Sequence, residues 1–188
     1  MKTLRIILIA LLIVFTRSAF AVEQSISLFS YLGTWSNVKI SQSEDPHAEG
    51  FCVSLWQIDG KTVGTLRHYV GTPFDAPVGE LQEVGLDQNT GKISFAAKLT
   101  TGSIFSGPDD KQESSMDFYT FEGTVNGAKL AGIFTMKRLN PTKPLKKPKT
   151  VDVILLSDNY ENEFWKKIDY KEWKKFQAEA IKATGPKW

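Results

Sequence analysis

Two dipeptides, Asp59-Gly60 and Asn126-Gly127, constrain this chain more than any other feature. Each stands between two runs that alternate apolar and polar residues. A two-residue type I′ turn needs positive φ at both central positions, which Asp-Gly and Asn-Gly tolerate. Such a turn also sets which residues face each other. Asp59-Gly60 pairs Ile58 with Lys61, Trp56 with Val63, Leu55 with Gly64 and Val53 with Leu66. Directly opposed residues share a face. One face then carries Phe51, Val53, Leu55, Leu66, His68 and Val70, and is expected to point inward. The other keeps Trp56, Ile58 and Val63 together, a patch that needs a cover. By the same rule Asn126-Gly127 pairs Val125 with Ala128, Gly123 with Leu130, Phe121 with Gly132 and Tyr119 with Phe134. Met136 and Arg138 join that inward face. Gly123 and Gly132 become diagonal neighbours on it. Glycine inside a strand costs stability, so the pair marks a kink or the approach of something bulky.

The same alternation predicts strands over 31–40, 51–58, 61–70, 80–87, 92–99, 115–125, 128–139 and 151–156. Gly91 ends the loop 87–91. Val84 and Leu86 share a face with Ile93, Phe95, Ala97 and Leu99, while Ser94, Ala96 and Lys98 face out. The stretches 41–50, 71–79, 100–114 and 140–150 read as loops. Ser157-Asp158 precede a helical pattern over about 160–183 that stops at Gly185-Pro186. Its apolar side holds Phe164, Trp165, Ile168, Trp173, Phe176 and Ala180. A flat meander of eight strands leaves two open edges, and closing it into a barrel removes them. The expected fold is therefore mainly β: an eight-stranded antiparallel up-and-down barrel with a C-terminal helix docked outside on Trp56, Ile58 and Val63. A two-sheet sandwich is the competing arrangement.

Upstream of these strands, a basic start leads into ten apolar residues, Ile6 to Phe15, and then Ala19-Phe20-Ala21. That is the pattern of a secretory signal peptide, and the apolar run is shorter than the ~20 residues of a membrane span. The expected organisation is a cleaved signal over 1–21, a barrel over 22–156 and a helix over 157–188 within one domain. Export places the protein in the periplasm or outside the cell. Losing Lys2, Arg5 and Arg17 takes the 23 basic residues to 20 against 21 acidic ones, which argues against nucleic-acid binding. The single Cys52 excludes an internal disulfide and reads as a small buried strand residue.

Gly33-Thr34-Trp35 on the first strand, eight meander strands, Arg138 late in the barrel and a terminal helix together resemble the lipocalin-like, or calycin, barrels. The resemblance implies that Trp35 packs at a closed end with Arg138 over its ring. The chain lacks the Thr-Asp-Tyr turn and the disulfides of typical lipocalins, and the recurrent strand tryptophans of avidin-like members. Together with the pairing rules, it makes Gly33, Trp35, Gly123, Gly132 and Arg138 a closure set. Trp35 is expected across strands six and seven beside the two glycines, with any ligand toward the other end.

Barrel mouths are usual places for pockets, so the expected activity is binding of a small, largely apolar molecule. The candidate lining is Phe51, Leu55, Leu66, His68, Phe95, Tyr119, Phe121 and Phe134, with His68, Tyr119 and Arg138 as polar contacts. The alternative is a protein-binding module, an inhibitor or envelope partner with a filled barrel. Its basis is charge segregation: 9 basic and 14 acidic residues over 22–139, against 11 basic and 7 acidic over 140–188. Lys143, Lys146, Lys147 and Lys149 would meet an acidic surface. No catalytic constellation is recognisable: His68, Glu122, Asp117 and Glu83 form no nucleophile-base-orienter set. No cofactor is implied, and Glu44, Asp45, His47 and Glu49 match no metal-loop spacing. After signal cleavage no segment is apolar enough to span a bilayer.

Overall fold

The expected hairpins are hydrogen-bonded to one another in chain order and return to the strand they started from. The structure is a computed structural model that describes residues 28–106 and 111–188. The signal pattern over 1–21 lies outside the described residues. The strands are β1 Phe29–Ser36, β2 Lys39–Ile40, β3 Ala48–Ile58, β4 Lys61–Gly71, β5 Val78–Leu86, β6 Lys92–Leu99, β7 Ser103–Ser106, β8 Lys111–Ser114, β9 Asp117–Asn126, β10 Lys129–Arg138 and β11 Lys149–Ser157. Two helices follow, α1 Asn159–Trp165 and α2 Tyr170–Thr184. The order β1-β3-β4-β5-β6-β9-β10-β11 closes because β1 pairs with β3 on one side and β11 on the other. The fold is thus an eight-stranded closed antiparallel barrel with C-terminal helices outside, an architecture consistent with calycin-like barrels. No helix among the described residues is long and apolar enough to cross a membrane.

The first hairpin has the expected register, Leu55 opposite Gly64 and Val53 opposite Leu66, with Asp59 and Gly60 at φ of 49° and 79°. The second is displaced. Its tight turn centres on Gly127-Ala128, so Val125 pairs with Leu130, Gly123 with Gly132 and Phe121 with Phe134. Gly127 has φ of 52° while Asn126 keeps negative φ, the pattern of a turn that needs glycine at its first central position. The displacement changes each pair sum by two, so every side chain keeps its expected face.

Other departures have local causes. The expected single strand over 31–40 breaks after Ser36, and Lys39–Ile40 pairs separately with β3. The expected loop over 100–114 contains the β7–β8 hairpin. A bulge between Gln82 and Gly85, with Glu83 at φ of 53°, puts Leu81 and Val84 on the core side together. The expected single helix is two. Asp169 caps α2 by accepting from the Glu172 N–H at 2.9 Å, as Asp158 caps α1 through Glu161. Ala96, expected outside, is buried.

The helices cover the outer face of the barrel from β1 to β5, α1 against β1 and α2 against β5, over Trp56 on β3 and Arg67 on β4. Trp56 is enclosed by Tyr31, Trp165 and Trp173, with ring centroids 5.7, 5.3 and 5.4 Å away. Ile58 and Val63, the rest of the expected docking patch, are half-buried. Asn162 ties α1 to β1: its Oδ1 accepts from the Tyr31 hydroxyl at 2.5 Å and the Thr34 N–H at 3.0 Å. Its amide donates to Ser157 Oγ at 2.8 Å, and Thr34 Oγ1 donates to Ser54 Oγ at 2.7 Å. This seam explains why polar Thr34 and Ser54 are buried on the outer surface. Burial also pushes the Cys52 thiol up to about 12, against the opposing pull of Arg67, so it stays neutral.

Candidate functional site

Inward alternation on β3, β4, β6, β9 and β10 brings the candidate lining residues into one cluster, and they pack on each other. Phe51 stacks on His68 at 4.3 Å and on Phe134 at 4.4 Å. Phe95 stacks on Phe121 at 4.9 Å, and Phe121 meets Phe134 at 4.8 Å. Leu55, Leu66 and Tyr119 complete the cluster with Val53, Leu99 and Leu130. The middle of the barrel is therefore an aromatic core.

Gly123 and Gly132, directly opposed, form a notch for Phe121. A Cβ at either position would lie 2.7 Å from its ring. The expectation that Trp35 fills this space is corrected: the ring that approaches the glycines is Phe121.

Trp35 does close a barrel end, by other contacts. It stands opposite Val53 on β3 and Ser157 on β11, at the position where β1 joins both edges. Its ring lies back over Gly33, where a Cβ would be 2.6 Å from Cη2. Gly33 has φ of 154°, which a side chain there would rarely adopt. The indole N–H donates to the Gly127 carbonyl at 3.0 Å, linking the closing strand to the β9–β10 turn.

Arg138 is not over that ring. It ends β10, nine residues beyond Lys129 beside the Gly127 turn, which at the strand rise is about 30 Å away. Its Nε donates to Asp117 Oδ1 at 2.8 Å, and its Nη2 to Oδ2 at 3.2 Å. Thr101 Oγ1 donates to the same carboxylate at 2.5 Å. Burial pushes the Asp117 carboxyl up, but the hydrogen bonds from Arg138, Thr101 and Ser115 outweigh it and hold the group below the usual range. Nearby, His68 Nδ1 lies 3.0 Å from the Tyr119 hydroxyl. Burial lowers the His68 pKa to about 4, against the pull of Asp117, and burial raises that of Tyr119. Both are neutral at pH 7. This polar seal is the other end of the barrel.

The open apolar recess lies on the Trp35 side. A cup of about 400 Å³ is lined by Leu32, Trp35, Leu55, Gln57, Leu86, Gln88, Gly91, Val125 and Gly127. Its walls are the inward-facing ends of β1, β3, β5 and β9. Trp35 and Leu55 are buried in it, while Leu32, Leu86 and Val125 are half-buried around them. Apart from the Trp35 indole N–H, already bonded to Gly127, the amides of Gln57 and Gln88 are its side-chain polar groups, and no ionisable side chain lines it. Of the eight candidate lining residues, Leu55 alone reaches this cup. Its rim residues Leu86 and Val125 were legible as apolar positions at strand ends next to turns, and Leu32 as the apolar residue before Gly33, signals outweighed by the stronger aromatic runs.

The loop expected to carry a basic partner surface is partly tied down: Lys143 donates to the Phe105 carbonyl, and Thr142 Oγ1 to Glu113 at 3.1 Å. Lys146, Lys147 and Lys149 are exposed. No family model, curated protein or solved structure matches this chain.

Proposed function

We propose that this chain is an exported, lipocalin-like barrel that holds a small, largely apolar molecule in the cup above Trp35. The observation that carries the reading is the cup itself: about 400 Å³, an apolar floor and rim, and two amides at the mouth of a closed barrel. Small-ligand sites are commonly about 300–1,000 Å³, mostly apolar, with a few polar groups that orient the ligand. At ~30 Å³ per water-sized group, the cup encloses about a dozen non-hydrogen atoms, and the rest of a larger ligand extends through its open mouth. The aromatic middle serves as a rigid base. The export part of this reading is supported by the basic, apolar and Ala-x-Ala pattern over residues 1–21.

The test is titration with the neutral probe N-phenyl-1-naphthylamine, followed by competition with fatty acids, isoprenoids and haem-like compounds. Saturable binding that weakens at least about tenfold in Val125→Arg supports the reading, because the substitution places a charge on the apolar rim. Probe binding that is absent, or unchanged in Val125→Arg, overturns it.

A further inference from the structure

A second recess lies outside the barrel, between the helices and β4. It has a volume of about 490 Å³. Its aromatic walls come from one side of each helix. Phe164 and Trp165 stand four and five residues after Tyr160 on α1, and Phe176 stands on α2. The three inner rings meet nearly edge to face: Phe164 to Trp165 at 5.0 Å and 76°, Phe164 to Phe176 at 5.8 Å and 68°, Trp165 to Phe176 at 6.0 Å and 90°. Edge-to-face packing fixes the rings and leaves faces turned outward. Tyr160, Phe164 and Phe176 are 85%, 44% and 41% exposed, so their faces reach solvent, while buried Trp165 forms the floor between them. Ala180 and Ala183, four and seven residues after Phe176, are short and leave the space open.

The charges in this recess do not balance. Arg67 Nη1 lies 4.0 Å from Glu161 Oε1, and the other Glu161 oxygen accepts from the Trp165 indole at 2.6 Å. Those two side chains offset each other. Glu179 lines the same recess and forms no ion pair among the described residues. No lysine lines it. What remains is one carboxylate beside several aromatic faces. Aromatic faces carry negative electrostatic potential and attract cations, most of all alkylated ammonium groups that lose little hydration.

We propose that this recess binds a compact quaternary ammonium compound free in solution, with its cationic end against Phe164, Trp165 and Phe176 and its charge met by Glu179. The site is independent of the cup above Trp35.

The experiment is a ¹H–¹⁵N NMR titration of the chain with choline chloride and, separately, with its uncharged isostere 3,3-dimethylbutan-1-ol. The expected result is saturable movement of the Trp165 indole signal and the α1 and α2 amides, with choline bound about ten times more tightly than the isostere. Glu179→Gln is expected to weaken choline at least about threefold and leave the isostere unchanged, since it removes the charge and keeps the shape; Phe176→Leu is expected to weaken choline at least about threefold and more than the isostere, since it removes a ring face but keeps an apolar side chain. Equal affinity for the two compounds within about twofold overturns the proposal, because apolar contact alone would then account for binding. So does an absence of movement, or movement unaffected by both substitutions. Sedimentation with phosphatidylcholine vesicles is expected to leave the protein in the supernatant; pelleting would assign the site to a lipid headgroup and overturn the free-ligand proposal.

Discussion

If Gly33 is glycine because the Trp35 ring lies against it, the cost of a side chain at Gly33 must depend on Trp35. In the native chain Gly33→Ala meets two penalties. The backbone there has φ of 154°, and holding an L-residue in such a region costs about 1–3 kcal/mol. The new Cβ would stand 2.6 Å from Cη2 and 2.9 Å from Cζ2 of Trp35, an overpacking worth about 1–3 kcal/mol more. The sum is about 2–6 kcal/mol. Trp35→Leu removes the outer ring atoms and the indole bond to Gly127, and is expected to cost about 2–4 kcal/mol, somewhat below the range for Trp to Ala. In that background leucine is too short to reach the new Cβ. Gly33→Ala should then cost only the backbone part, about 1–3 kcal/mol. Urea denaturation of the four proteins gives a coupling energy of about 1–3 kcal/mol, with the double variant more stable than the two losses predict. Additivity within about 0.5 kcal/mol would refute the claim that glycine and tryptophan form one closing unit.

Three further outcomes are expected. His68 has a folded pKa near 4 against an ordinary value of 6.5, so its contribution to stability is full above pH 6.5 and falls as pH drops toward 4. Unfolding free energies from urea denaturation should therefore decline over that interval by roughly 2–3 kcal/mol, and His68→Phe, which can keep the stacking on Phe51, should remove that part of the slope. Asp117→Asn leaves the partly exposed Arg138 without its counter-charge and is expected to cost about 1.5–3 kcal/mol by thermal or urea unfolding. Because the Asp117 carboxyl sits below the usual range, its share of stability is full above pH ~4 and is lost as pH falls further; Asp117→Asn should not show that loss. Asn162→Ala strands the Thr34 N–H and leaves the Tyr31 hydroxyl with Thr34 Oγ1 alone, at about 1–3 kcal/mol, and hydrogen exchange should show α1 losing protection before the barrel does.

The parts of this fold that were legible in the sequence are those determined locally. Asp59-Gly60 dictates its own register, and the structure reproduces it pair for pair. Asn126-Gly127 announces a hairpin equally well, but two adjacent tight turns are open to it. The one adopted keeps Asn126 in the ladder with Lys129. Side-chain faces survive because a shift of two in the pair sum preserves alternation. Arg138 was misplaced for a different reason. A late basic residue can serve either barrel end, and only the position of Asp117 opposite it, with Thr101 beside it, decides which. Buried Asp117 was visible as a carboxylate at the start of a strand, but its partner comes from the other side of a hairpin. The second helix start carried a readable signal in Asp169-Tyr170-Lys171-Glu172, an aspartate followed three residues later by glutamate within an otherwise continuous helical pattern. The cup was the hardest part to see. Aromatic residues fill a barrel or line a cavity with the same alternation, so pattern alone does not distinguish them. Here the rings stack on each other, and the open space lies where the strands end in smaller aliphatic side chains.

The most direct test of a filled barrel with a cup above Trp35 is ¹H–¹⁵N mapping of N-phenyl-1-naphthylamine binding. The structure predicts that the Trp35 indole signal and the amides of Leu32, Leu86, Val125 and Gly127 move, while those of His68, Tyr119 and Phe134 stay in place. Movement centred on His68, Tyr119 and Phe134, with the Trp35 end silent, would contradict it.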